Sequence, residues 1–306
     1  MMLRRGLGRK YQVLDLWAKR PRRAVFIDVV AIATDAKDNV YVLNRGPESV
    51  QVFNRDGDFL RSFGKGQFVR VHSMFIDKKG DLFVADDEGH TITKWSPSGD
   101  LLLTLGQKGK PSDTGYDGRD FRTIERGGPP FNRPTDVSVA SNGDIYVTDG
   151  YGNARVHCFA PDGKHKLSWG EPGSGKCQFN IPHGLVIDKQ DRVLVSDREN
   201  NRIQVFTLKG ELMAIWDGLY RPNSIRLSPE GVLCVAELTN RVSFWSLDGK
   251  LLDRWGDEGM SVDAGGLVSP HGIAMDSHGD VYVGEVCETN AGIDRGFRAL
   301  QKFIRI

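Results

Sequence analysis

The chain has 306 residues, 39% of them hydrophobic and 26% charged, which is too apolar for disorder and long enough to bury a large core. Its 41 Lys and Arg balance 40 Asp and Glu, so the broad basic footprint of a nucleic-acid-binding protein is missing. No segment reaches membrane-spanning length and the four cysteines show no CxxC spacing, so neither a membrane partner nor a disulfide framework is expected, and all four cysteines read as free thiols.

The first 23 residues, MMLRRGLGRKYQVLDLWAKRPRR, are basic and lack the unbroken apolar run of a signal peptide, which predicts a cytoplasmic protein. Tyr11 to Trp17 within them resembles a strand with no sheet of its own. From Val29 onward one pattern recurs: an apolar strand ending in Asp, a Gly turn, an aromatic-rich strand ending in an acid, a third strand, a second Gly turn, and Trp-Gly. Val71 to Gly106 and Ile181 to Gly218 show it in full, with period-two alternation and no helical periodicity. Copies begin near Val29, Val71, Pro134, Pro182, Pro222 and Pro270.

A four-stranded unit of this period cannot bury both of its faces alone, so the copies must stack around a common axis. The expected fold is all-β, a six-bladed β-propeller forming a single domain over residues 1–306. The last copy stops after its third strand, LQKFIRI, and the strand at 11–17 is expected to complete that blade from outside and close the ring. Trp169, Trp216 and Trp255 recur at outer-strand ends and read as packing residues. Residues 107–131 form a long insertion between the second and third copies, rich in Gly, Arg and Tyr, and CETNAGIDRGFRAL lengthens the last copy. Such loops serve as a lid or substrate wall, or as solvated excursions.

In a propeller the first strand of each blade lines the axial channel. Counting back from its closing Asp, the aligned column is Val30, His72, Thr135, His183, Asn223 and His271. One such histidine after proline is ordinarily a core residue bonded to a carbonyl. Three in one column, in alternate blades of a chain with only 7 His, predict convergence on the axis. Three neutral imidazoles with a fourth position open form the donor set of a catalytic zinc site, so His72, His183 and His271 are the candidate metal ligands, for zinc or for manganese or iron. His90, His157, His165 and His278 fall in expected turns or outer strands and receive no role.

A second column closes the second strands: Asn44, Asp86, Asp149, Asp197, Glu237 and Glu285. Its regularity predicts that each side chain caps its own loop. The residues after it vary, and Arg45, Tyr151 and Arg198 are the functional types among them. Arginine binds a carboxylate bidentately, and a tyrosine beside a metal serves as a general base. The NxR pattern that opens third strands reads as repeat scaffolding.

These residues resemble NHL-repeat propellers in general and, more narrowly, peptidyl-α-hydroxyglycine α-amidating lyase. The likeness spans most of the chain and is sharpest in FNRPTDVSV, VTDGYGNARV, FNIPHGLVID and SDRENNRIQVF. The resemblance implies a zinc enzyme that cleaves a carbinolamide C–N bond to an amide and glyoxylate. It implies zinc on His72, His183 and His271, a catalytic Tyr151, a substrate-binding Arg45 and a supporting Arg198. Two positions depart from the family. Ser269 replaces the Met two residues before the last zinc histidine, and Gly272 replaces an Asp used for structural calcium, which argues against calcium here. The expected partner is therefore a small-molecule substrate, with the oligomeric state left open. Two other readings fit the same residues: a metal-dependent hydrolase of a small ester, lactone or amide using the same histidines, and a non-catalytic NHL binding scaffold.

Overall fold

Wherever the repeat predicts alternating strands, the chain forms antiparallel sheets. The computed structural model describes residues 3–19, 25–256 and 259–306. First strands begin at Val29, Val71, Pro134, Pro182, Pro222 and Pro270, the six positions at which the repeat starts. The fold is a six-bladed β-propeller, almost without helix. Among the described residues no helix is long and apolar enough to cross a membrane.

The chain divides into two compact units. Phe68–Pro222 carries blade 2 (Val71–Ile76, Leu82–Asp86, Thr91–Trp95, Leu101–Gly106), blade 3 (Pro134–Val139, Ile145–Asp149, Arg155–Phe159, His165–Trp169) and blade 4 (Pro182–Ile187, Val193–Asp197, Arg202–Phe206, Leu212–Trp216). Its core is the stacked inner faces: Phe83, Phe131, Val137 and Val147 between blades 2 and 3, and Tyr146, Phe179, Val195 and Phe206 between blades 3 and 4. Each such side chain contributes about 1.5–3 kcal/mol by leaving water. Trp169 packs against Tyr146 and Phe206, in the role its repeat position predicts.

The other unit holds blades 1, 5 and 6. In blade 6, Arg9–Leu14 pairs antiparallel with Leu300–Arg305 as the outer strand, starting two residues before the expected 11–17 and ending at Leu14. A further strand, Leu3–Gly6, extends that sheet to five strands, which the repeat did not foretell. Tyr11 and Trp255 meet edge to face at 5.0 Å between centroids and anchor the added strand.

Two regularities position the candidate site. The first is a register shift at the start of the first strand, one residue wide in blades 1, 2, 3 and 6 and wider in blade 4. It falls on Val30, His72, Thr135, His183 and His271, the residues of the axial column. A bulged residue leaves the ladder and its side chain is re-aimed, which frees these positions from ordinary strand alternation. The second extends the expectation that the column closing the second strands caps its own loop. Five of its six members accept a backbone N–H from 17 residues earlier, in the lead-in to the first strand. The bonds run from Ile27 to Asn44 (3.3 Å), Val69 to Asp86 (2.9 Å), Asn132 to Asp149 (2.7 Å), Asn180 to Asp197 (2.8 Å) and Val268 to Glu285 (2.7 Å). The loop is capped as well, by Gly46 N–H on Asn44 and Gly89 N–H on Asp86.

Asp86 therefore accepts three backbone N–H groups, from Val69, Arg70 and Gly89. Asp86→Ala leaves them without this acceptor, the Gly89 N–H in a buried place, and the expected loss is about 2–4 kcal/mol of unfolding free energy. Urea denaturation of the variant checks this; a loss below about 0.5 kcal/mol would remove the anchoring role.

Candidate functional site

Within Phe68–Pro222, His72 and His183 stand on their bulges and are almost fully buried. The His72 Nδ1–H donates to the Thr135 carbonyl at 2.6 Å. A carbonyl only accepts, so this bond fixes the tautomer and leaves His72 Nε2 with its lone pair. Tyr151 hydroxyl lies 3.0 Å from His72 Nε2 and 3.1 Å from His183 Nε2. The two imidazole rings are 4.6 Å apart between centroids.

Tyr151 reaches this place because its loop presses against its neighbours. A Cβ at Gly150 would collide with the Pro182 carbonyl, and Gly152 N–H donates to Asn132 O at 3.0 Å. Two guanidinium groups cover the phenol ring, Arg133 at 5.2 Å and Arg198 at 5.5 Å from its centroid. Arg198 Nη1 is also 3.4 Å from the hydroxyl oxygen.

Beside Tyr151 opens a cavity of about 330 Å³, lined by Arg70, Arg119, Arg133, Arg198 and Arg221 together with Tyr116, Phe121, Ile181 and Glu199. Tyr116, Arg119 and Phe121 belong to the insertion at 107–131, which thus forms a wall of the cavity. Thr114 Oγ1, bonded to Gly152 O at 2.5 Å, ties the insertion to the Tyr151 loop. Four of the five arginines are held by acids, and Glu88 stands 3.3 Å from Arg133 and 3.9 Å from Arg70. Arg70 and Arg133 reach buried Asp87 at 2.5 and 2.9 Å, and Arg198 and Arg221 reach Glu199 at 2.7 and 2.9 Å. Burial alone would raise the Glu199 carboxyl, but Arg198 and Arg221 outweigh it and hold it below the usual glutamate range.

In the other unit, His271 Nδ1–H donates to Val30 O at 2.7 Å, the same arrangement as His72. Arg45 is clamped by Asp28 at 3.2 Å and Thr289 Oγ1 at 3.1 Å, Thr289 coming from the lengthened loop of blade 6. A Cβ at Gly272 would come within 2.8 Å of Ala31 Cα, so this position has no side-chain ligand for calcium and no room for one. One ring nitrogen each from His72, His183 and His271 lies within 4.8 Å of the other two, a group able to hold a metal ion. The donor set fits a transition ion: three buried imidazoles, two of them oriented by backbone carbonyls.

Sequence reasoning missed the column two residues before the axial one: Asp28, Arg70, Arg133, Ile181, Arg221 and Ser269. Four of its members line the cavity. Three of them, Arg133, Ile181 and Arg221, have left-handed φ of 68°, 57° and 49°. The signal was visible as three arginines in register. His90, given no role, supports one of them by accepting the Arg133 N–H at 3.2 Å on Nδ1. Asn201 does the same for the Arg221 N–H at 2.8 Å. His157, expected in a turn or outer strand, is buried in a third strand between Asp149 and Ser168 and is scaffolding. All four cysteines are free, and burial pushes the thiols of Cys158, Cys234 and Cys287 up, Cys234 to about 12.

Residues 131–159 and 179–206, around the Tyr151 loop and His183, match the NHL repeat. Mouse NHL repeat-containing protein 3 is 30% identical over 292 residues, covering 89% of this chain and 78% of that protein. The chain belongs to the NHL repeat-containing protein 3 family. This member is also similar to a probable peptidyl-α-hydroxyglycine α-amidating lyase of Caenorhabditis elegans, 32% identical over 164 residues, which cover 52% of this chain and 43% of that one. A solved streptogramin B lyase matches its fold, with TM-score 0.65 at 14% identity over 97% of this chain and 98% of that chain.

Burial pushes the His90 imidazole below its ordinary value of 6.5, so the unfolded chain binds that proton more readily than the folded one. Its contribution is whole above pH 6.5 and is lost as pH falls through that value. His90→Asn places the Asn201 solution at the equivalent position. The variant is expected to lose less stability than the parent between about pH 7.5 and about pH 5.5, measured by urea midpoints; parallel profiles would contradict this.

Proposed function

We propose that this chain is a metal-dependent lyase that cleaves the C–N bond of a small α-hydroxyglycine-like carbinolamide to an amide and glyoxylate. The observation that carries this reading is the grouping of His72, His183 and His271, with the Tyr151 hydroxyl against two of them. The similarity to an amidating lyase over half the chain supports it. A divalent transition ion, zinc by the all-imidazole donor set, would be held by the three histidines and would supply Lewis acidity toward the substrate hydroxyl.

The chain's own groups account for the remaining steps. The cavity arginines draw in the anionic substrate and orient its carboxylate, a role the resemblance gives chiefly to Arg45. Tyr151 oxygen accepts the substrate hydroxyl proton. Arg133 and Arg198 lie over the phenol ring and oppose the negative charge that the oxygen carries beforehand. As the carbonyl forms, the C–N bonding pair leaves with nitrogen, and the proton held by Tyr151 passes to it. No atom is gained or lost between the carbinolamide and its two products.

The test is glyoxylate release from N-acyl-α-hydroxyglycines by metal-reconstituted protein. Tyr151→Phe is expected to lower kcat by about 10²–10⁴-fold while metal content stays at one per chain. His183→Ala is expected to lose both metal and activity while keeping its circular dichroism spectrum. Reconstituted protein that binds no transition metal, or binds it equally well without His183, would return the chain to the scaffold reading.

A further inference from the structure

Resting on that reading, we propose that the amide half of the substrate carries a second acidic group, so that the ligand is a small carbinolamide anionic at both ends. An α-hydroxyglycine carboxylate occupies one guanidinium, or two at most. The cavity beside Tyr151 presents five, with Glu199 the acid on its lining and Asp87 buried behind. Arg70 and Arg133 share Asp87 and also meet Glu88, while Arg198 and Arg221 share only Glu199, so the second pair keeps an excess positive charge. Arg119, exposed on the insertion, adds another.

Like charges gathered around one small concavity repel each other, and a neutral amide half would leave that repulsion standing. Two of the guanidinium groups are also mounted on left-handed non-glycine backbone, at Arg133 and Arg221, a conformation that costs of order 1 kcal/mol or more and persists where a site needs it. Tyr116 and Phe121 supply the apolar wall along which a short methylene linker lies between the two acids. The volume of about 330 Å³ admits such a molecule.

The test uses N-succinylglycine and N-butyrylglycine, inert analogues that share the glycine carboxylate and differ in the second acid. By titration calorimetry of the metal-reconstituted protein at low ionic strength, N-succinylglycine is expected to bind about tenfold tighter or better, with the preference falling as salt is raised. Arg119→Ala, which removes no internal ion pair, is expected to cut the preference below about threefold. Equal affinity, or no binding of either analogue, overturns the inference. Binding is read without turnover, so the two proposals fail separately. Preference for N-succinylglycine without glyoxylate release would sink the lyase reading alone. Equally fast release from succinyl and butyryl α-hydroxyglycines would sink only this inference.

Discussion

Much of this molecule depends on one buried bond, repeated around the fold: a side-chain oxygen at the end of a second strand accepts a backbone N–H 17 residues earlier. The first strand of a blade opens on a register shift, and the lead-in two residues before the strand has no ladder partner for its N–H. Unpaired and buried, such a group would be expensive. A carboxylate or amide that reaches round the end of the sheet supplies the missing acceptor. The bulge is thereby held, and the side chain standing on it has a fixed origin.

What that side chain does next follows the same economy. His72 donates to Thr135 O and Thr135 to Pro182 O, while in the other unit Asn223 donates to Pro270 O and His271 to Val30 O. Each of these four axial residues closes a bond to the first strand of the following blade. The bland reading of such a histidine, a core residue bonded to a carbonyl, therefore holds for His72 and His271. It is also what makes them fit as ligands, because a protonated Nδ1 commits the lone pair to Nε2. The structural role and the chemical one use opposite edges of the same ring.

The repeat, the blade starts and the outer strand from the N-terminus were legible because alternation and turn residues are local signals that tertiary contacts reinforce. The axial histidines were legible because they share a column. Other features depend on relations that no single column shows. The bulge depends on pairing register, and the 17-residue bond joins two segments of one blade that look unrelated in the chain. The role of His90 appears only when it meets Arg133, 43 residues away. The arginine column was open to inspection, but its members precede the strand by a residue. They read as linker until the fold, with left-handed backbone at Arg133 and Arg221, makes them the cavity wall.

The repeat itself supplies the comparison that separates chemistry from scaffolding. Thr135 and Asn223 make the same bond to the next blade that His72 and His271 make, so the fold does not require imidazole there. Val30 occupies the column with no polar group at all. What histidine adds over threonine or asparagine is a second, basic nitrogen, and this chain adds it three times within reach of one point. The same logic applies one column earlier, where Asp28, Ile181 and Ser269 show that arginine is not needed to lead a chain into its first strand. Positions that the scaffold leaves free carry basic nitrogens and guanidinium groups, and these are the side chains to which a metal-bound, anionic substrate would be matched.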